Sequence, residues 1–143
     1  MKKHEQPVGL EAWKKEFYPI PAEETKPEEA LAHSLRKWEG LSVANRKRFG
    51  LTADGHDLAD SEENLFCIDA SSCALCHHFY DSRVWPEEDS CKECPLAIAR
   101  GGVPCTDETP TERLSPFQRW TNGENSQPMM RQLRKALALQ QKS

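Results

Sequence analysis

The N-terminal part of the chain places apolar residues at helical spacing. Leu10, Trp13 and Phe17 stand at positions i, i+3 and i+7, which puts them on one face of a helix. Pro19 and Pro21 follow closely and do not continue a helix. The pattern therefore predicts a short amphipathic helix that ends before the first proline.

A second helical pattern begins a few residues later. Residues 25–28, Thr-Lys-Pro-Glu, resemble a capping box with a proline in the first turn. Leu31, Leu35 and Trp38 then form an apolar face, and Gly40 is the expected C-cap.

A third helix is expected directly afterwards. Ser42 is its predicted cap, and the helix continues to Phe49 and stops at Gly50. Together with the preceding helix, it predicts a helical hairpin over residues 27–49.

The middle of the chain predicts short strands among loops. Residues 52–63 are acidic and polar, so we expect a loop there. Residues 64–69 predict a short strand, and residues 78–81 predict a second one. Trp85 and Pro86 are expected to turn the chain after it.

Three further helices are predicted in the C-terminal half. They cover residues 94–101, residues 115–123 and a last segment that opens at residues 126–128. Proline or serine stands in the first turn of each. The last helix carries apolar side chains at i, i+3 and i+7, namely Met130, Leu133 and Leu137.

The six cysteines all lie within 39 consecutive positions, and four of them form two C-x2-C pairs. The pairs are Cys73–Cys76 and Cys91–Cys94, with 14 residues between them. Disulfides belong mainly to exported chains, and no signal-peptide core follows the first residues, so we expect a cytoplasmic protein. In a reducing compartment, two such pairs indicate one structural Zn²⁺ held by four thiolates.

Other interpretations of the cysteines stay open. Residues 73–77 match the c-type haem attachment pattern, which normally follows export and leaves the second pair unexplained. An iron–sulfur cluster also takes four cysteines, but the closely spaced bacterial run is absent. A binuclear zinc cluster of six cysteines fits the intervals poorly, and a thioredoxin-like redox pair needs a βαβ pattern.

Two cysteines, Cys67 and Cys105, lie outside the pairs. We expect both to be small buried apolar residues, which is a common environment for cysteine without a disulfide. As alternatives, one of them, or His77 or His78 directly after the first pair, replaces a paired cysteine as zinc ligand, or Cys67 and Cys105 form a labile bond with each other.

These elements predict a small α+β fold made of three parts. Residues 1–50 form the helical region, residues 51–110 an acidic zinc module with four cysteines, and residues 111–143 a basic region with an amphipathic helix. The three are expected to make one compact domain. Because Pro95 starts a helix at the second pair, a treble-clef-like module is preferred to a zinc ribbon.

The composition predicts a small hydrophobic core. Leu, Ile, Val and Phe together supply 25 of the 143 residues. Zinc binding would then contribute much of the folding free energy, on the order of 10 kcal/mol. We expect Cys76→Ser or Cys94→Ser to unfold residues 67–105 and to spare the helical hairpin.

The charge of the middle region favours a protein partner. Residues 51–110 carry 13 acidic and 3 basic side chains, a net charge of −10. An acidic tip, defined as Glu87, Glu88 and Asp89, would steer a basic partner. Because four cysteine ligands leave no open position on zinc, a non-enzymatic interaction module is expected. The terminal helix, with Met129 and Met130 near its start, offers a second docking surface, although Leu133 and Leu137 are expected to pack into the core.

Two other functions are weighed against it. Nucleic-acid binding would use Arg46, Lys47 and Arg48 together with the last helix, although the acidic module would repel phosphates. An HNH-like nuclease is suggested by Cys-Ala-Leu-Cys-His-His at residues 73–78, but no later His-Asn-His pattern follows. His56 is therefore expected to be an ordinary loop residue.

Several motifs also carry a family resemblance. They are His-Ser-Leu-Arg-Lys-Trp-Glu-Gly-Leu at residues 33–41, Ser-Cys-Ala-Leu-Cys at 72–76, Cys-Pro-Leu at 94–96 and Ser-Pro-Phe at 115–117. With them the chain, from about residue 13 to residue 137, resembles small cysteine-rich proteins of tailed bacteriophages, a group without an established activity. The resemblance implies expression in the bacterial cytoplasm and, by analogy, binding to a host protein, a defence protein included. No apolar run approaches the roughly 20 residues of a membrane span.

Overall fold

We describe a computed structural model of the chain, which covers residues 8–54, 56–68, 72–79, 94–101, 103, 105, 114–123 and 125–141. Within these residues the fold is mainly helical, with one small three-stranded antiparallel sheet. The predicted mixed α and β composition is confirmed at this level.

The first helix, α1, runs from Leu10 to Phe17, as its apolar spacing predicted. It buries Leu10, Trp13 and Phe17. The Trp13 ring contacts the Phe17 ring at 6.0 Å and the Phe66 ring at 5.2 Å between centroids. The aromatic face of α1 therefore joins the helical region to the sheet.

The expected capping box at residues 25–28 is wrong by one residue. The Thr25 hydroxyl donates to the carbonyl of Ala22 at 2.7 Å instead of capping a helix. The Glu29 carboxylate accepts from the Lys26 backbone N–H at 3.2 Å. Pro27 occupies the first helical position, which moves the cap to Lys26 and its carboxylate partner to Glu29.

Two short 3₁₀ turns, Ala22–Glu24 and Pro27–Glu29, lead into the second helix. This helix, α2, spans Ala30–Gly40, and α3 spans Val43–Phe49. The two helices confirm the helical segments predicted within residues 27–49.

The ends of these helices differ in their use of glycine. Gly50 has φ 69°, and Ser42 accepts from the Asn45 backbone N–H at 3.3 Å, both as predicted. Gly40 is not the cap of α2, because the helix includes it and Leu41 takes the cap position. Instead, its carbonyl accepts from the Trp13 indole N–H at 2.9 Å, so Gly40 serves close packing.

The predicted loop at residues 52–63 is interrupted by two strands. They are β1, Thr52–Ala53, and β2, Asp57–Ala59, and β3 follows at Leu65–Cys67. The sheet order is β1-β2-β3, with both pairs antiparallel.

Local hydrogen bonds explain why this acidic segment forms a hairpin. The Asp54 carboxylate accepts from the backbone N–H of His56 at 3.0 Å and of Asp57 at 2.8 Å. Leu58, which directly follows Asp57, is fully buried opposite Phe66. One buried leucine and one turn-forming aspartate therefore outweigh the polar composition.

The fourth helix contradicts a predicted strand. α4 covers Ala74–Phe79, so the strand expected at residues 78–81 is wrong at His78 and Phe79. Its other two positions, 80 and 81, lie outside the described residues. Ala74 and Leu75 are buried, and the helix packs against α2, which favours a helix over an extended strand.

The remaining helices match their predictions. They are α5, Pro95–Ala99, α6, Pro116–Gly123, and α7, Gln127–Gln141. α7 packs against both α2 and α5. It buries Met129, Met130, Leu133 and Ala136.

Candidate metal centre

In the part of the chain that the structure describes, four cysteines line one small cavity. Cys73 precedes α4, Cys76 lies within it, Cys94 caps α5, and Cys105 follows at a distance of 11 residues. The cavity has a volume of about 30 Å³ and is completed by Leu75, Leu96 and Ala97. Three of the four predicted ligands therefore converge from two helix starts, and the fourth, Cys91, lies outside the described residues.

The convergence stops short of a coordination geometry. Within the described ranges, no three or more His, Cys, Asp or Glu side chains lie close enough to hold a metal ion. The zinc site consequently stays a prediction, and its predicted set includes a cysteine that the structure does not describe.

The Cys73 sulfur receives several polar contacts. The backbone N–H of Cys76 donates to it at 3.4 Å, and the Ser34 hydroxyl lies 3.9 Å away. The pKa of the Cys73 thiol lies well below its usual value, first because of the side-chain hydrogen bond with Cys76. The positive charge of Lys37 and the hydrogen bonds from the Cys76 backbone and Ser34 lower this pKa further, while burial opposes them.

These contacts fit a thiolate ligand chemically. Metal-bound sulfur is a thiolate, and backbone N–H groups and nearby cations stabilise that form. A set of cysteine sulfurs is the soft donor set that zinc and iron–sulfur clusters share. The donor chemistry of these cysteine sulfurs therefore fits the predicted metal.

Helix α2 contributes residues that sequence analysis did not assign to the site. Ser34, Lys37 and Trp38 line a second cavity of about 220 Å³, which also reaches Cys73 and Cys105. The Lys37 side chain is only 1% exposed, and its Nζ lies 3.3 Å from both the carbonyl and the hydroxyl of Ser72.

A sequence signal for this wall exists in retrospect. Ser34 and Lys37 are three residues apart, directly beside the apolar positions Leu31, Leu35 and Trp38. A polar pair at this spacing widens the buried face of the helix. Lysine is rarely buried, so the apolar positions alone did not indicate that Lys37 lies on the buried face.

Of the alternative ligands, Cys105 is half-buried and lines the small cysteine cavity, whereas Cys67 and His77 lie elsewhere. Cys67 is exposed at the end of β3, so the expectation that it is buried is wrong, and His77 is exposed on α4. His56 is exposed next to the β1–β2 turn, in agreement with its expected loop position. None of these three lines the small cysteine cavity.

The basic cluster expected to contact nucleic acid has partners within the protein. Arg48 forms a two-point ion pair with Glu16 at 2.9 and 3.0 Å. The Arg46 guanidinium stacks over the Trp120 ring at 5.6 Å, and its Nε donates to the Leu41 carbonyl. Lys47 is exposed.

Of the two docking surfaces predicted from the sequence, the structure describes only the one on the last helix. Met129 and Met130 are 2% and 3% exposed, so the expectation that they form a docking surface is wrong. They pack into the core because α7 lies against α2 and α5. The acidic tip lies outside the described residues.

Comparison of the chain with protein-family models, with curated proteins and with solved structures gives no match. Among the helices that the structure describes, none has the length and apolar character needed to cross a membrane.

Proposed function

We propose that the protein is a non-enzymatic protein-interaction module fastened by one structural zinc ion. Cys73, Cys76, Cys91 and Cys94 are its proposed ligands. The observation that supports this proposal is the convergence of Cys73, Cys76 and Cys94 on one small cavity. Cys94 lies 18 positions after Cys76 in sequence, and the two would meet there at the metal.

A structural role suits this set of ligands better than catalysis. Four thiolates fill the tetrahedral positions of zinc and leave none for water or substrate. The start of α5 directly after Cys94 agrees with the helix expected at the second cysteine pair of a treble-clef-like module, whereas α4 stands where that module has a strand after the first pair. An iron–sulfur cluster is the alternative occupant of the same sulfurs.

Metal analysis of the purified full chain tests the metal proposal. We expect about one zinc per chain, loss of that zinc in Cys94→Ser, and its retention in the matched control Cys67→Ser, because Cys67 is exposed on β3. If the analysis finds iron together with visible absorbance, the protein holds an iron–sulfur cluster instead of zinc. Absence of any metal would overturn the proposal.

The proposed partner is a basic surface on a bacterial host protein, a defence protein included. Residues 51–110 carry a net charge of −10, and zinc held by four thiolates adds further negative charge. Such a surface accelerates association with a positive one and repels nucleic acid. The resemblance to phage proteins supports a bacterial cytoplasmic setting.

Charge reversal separates this proposal from nonspecific capture. We expect the zinc-loaded chain to retain a specific protein from a bacterial lysate and Glu87→Lys, Glu88→Lys, Asp89→Lys to weaken that capture. The control is the same reversal at the exposed positions Glu23, Glu24 and Glu28. Equal capture by both triple variants would remove the acidic tip from the mechanism.

Nucleic-acid binding is the alternative function and has less support. Two of the three basic residues predicted to contact nucleic acid already have partners within the protein. Arg48 pairs with Glu16, and Arg46 stacks over Trp120. Most of the affinity would have to come from Lys47 and from the exposed cations of α7, Arg131, Arg134 and Lys135. Arg134 already forms an ion pair with Glu39 at 3.6 Å. A filter-binding titration at several salt concentrations, with salt-sensitive retention of DNA or RNA, would favour this alternative.

A further inference from the structure

One lysine of helix α2 lies inside the protein beside the cysteines. Lys37 is 1% exposed, although lysine is almost never fully buried without a partner of opposite charge or several acceptors. Its Nζ contacts the Ser72 carbonyl and hydroxyl at 3.3 Å, and it lies 5.4 Å from the centroid of the Trp38 ring. The side chain thus points to the residue that directly precedes Cys73.

Lys37 and the cysteines also share a cavity wall. Lys37, Ser34, Cys73, Cys76 and Cys105 all line the cavity of about 220 Å³, whose other walls are apolar. Charges interact strongly across such a medium because little water screens them. A positive charge at Lys37 would therefore act strongly on negative charge at these cysteines.

We propose that Lys37 is the charge-compensating residue of the zinc centre. It would not bind the metal itself. Zinc with four thiolates has a net charge of −2, and the buried ammonium would offset part of it, while Ser72 holds the ammonium in place. This inference rests on the proposed zinc site.

The same geometry gives a reason for burying a cation at this position. A buried ammonium is unfavourable in an apolar environment unless negative charge lies close to it. A four-thiolate zinc centre supplies that charge, and the groups around a metal's ligands tune its affinity. The Lys37 ammonium and the zinc–thiolate centre would therefore each lower the free-energy cost of burying the other.

Zinc affinity of the full chain, measured by competition with a colorimetric zinc chelator, tests the inference. Lys37→Met keeps an unbranched side chain only one atom shorter and removes the charge. We expect it to weaken zinc binding by about 10- to 100-fold, the usual effect of residues around metal ligands. The matched control is Arg36→Met, which removes an exposed cation from the neighbouring position and should leave the affinity close to that of the unmodified chain.

A second background distinguishes charge from packing. Cys94→His retains a zinc ligand but removes one negative charge, so Lys37→Met should cost less affinity there than in the unmodified chain. Cobalt-substituted protein should keep its sulfur-to-metal absorbance in Lys37→Met, which verifies that the four thiolates still bind.

The outcomes separate the two proposals. Unchanged affinity in Lys37→Met, or the same loss in the Cys94→His background, would overturn the role of Lys37 and leave the zinc site standing. Failure of the unmodified chain to bind zinc would overturn both.

Discussion

At the scale of single residues, Gly40 shows how a close contact dictates an amino acid. A methyl group at this position would lie 2.5 Å from Cγ of Phe17 and 2.7 Å from Nε1 of Trp13. Neither ring has free space to move into, because Trp13 is fully buried and Phe17 is 6% exposed. Gly40 therefore permits α1 and α2 to pack at this distance.

We expect Gly40→Ala to lower the free energy of unfolding by about 1–3 kcal/mol, because overpacking outweighs the better helix propensity of alanine. Urea denaturation followed by circular dichroism measures the change. Gly123→Ala is the matched control, since Gly123 also lies in a helix and has no atom within 4 Å of the added methyl. A Gly40→Ala protein as stable as the control would contradict the packing argument.

At the scale of elements, one carboxylate connects the sheet to the first helix. The Asp60 side chain, just after β2, accepts from the Leu10 backbone N–H at 2.9 Å and thereby serves the start of α1. This hydrogen bond is the main reason that the pKa of Asp60 is lowered from 3.8. The ionised form is therefore favoured by folding.

The lowered pKa fixes the pH range of this contribution. Stability from Asp60 is present above pH 3.8, its unfolded value, and is lost as pH falls through the lower folded value. We expect Asp60→Asn to have a lower melting temperature than the unmodified chain at pH 7, and the difference to shrink below pH 3.8. The matched control is Glu62→Gln, which replaces a carboxylate by an amide at an exposed position.

The elements also show what sequence alone can predict. α1, α3, α5, α6 and α7 follow from apolar spacing, proline and caps, which act within a few residues. Ser115 is an example, because its hydroxyl accepts from the Gln118 N–H at 3.1 Å while Gln118 accepts from the Ser115 N–H at 2.8 Å. Such local reciprocity is visible in the sequence.

The misassigned elements depend on contacts distant in sequence. β2 forms because Leu58 pairs across the sheet with Phe66, and α4 forms because its buried face meets α2. The same holds for the candidate site. The C-x2-C spacing predicted that Cys73 and Cys76 act together. The spacing within α2 places Lys37 beside the apolar face, but it does not indicate that this face meets Cys73, which lies 36 residues later.

At the scale of the whole molecule, the hydrophobic core crosses the predicted boundaries between regions. It includes Leu31 from the helical region, Leu75 and Leu96 from the cysteine region, and Leu133 from the last helix. Tryptophan, methionine and alanine side chains also contribute, so the core is larger than the count of Leu, Ile, Val and Phe indicated.

This shared core changes the expected response to metal removal. Sequence alone predicted that residues 67–105 would unfold and the helical hairpin would persist. Because α2 packs against both α4 and α7, we now expect a chelator to destabilise them together. The melting temperature should fall by at least about 10 °C, given the size of zinc binding energies.

Coincident melting curves from circular dichroism and tryptophan fluorescence would support this cooperative loss. The fluorescence combines Trp13 in α1, Trp38 in α2 and Trp120 in α6 with Trp85, which lies between the two cysteine pairs in sequence. A chelator that shifts neither curve would contradict a stabilising metal, and one that splits them would restore the two-part unfolding predicted from sequence.

The burial pattern of α2 also limits how this chain is able to diverge. Its residues at 30, 31, 34, 37, 38 and 40 are buried and those at 33, 35 and 39 are half-buried, which leaves only Ala32 and Arg36 exposed. A helix enclosed on nearly every side tolerates few amino-acid replacements. In a library of random variants selected for folding, diversity within this helix should therefore concentrate at those two positions.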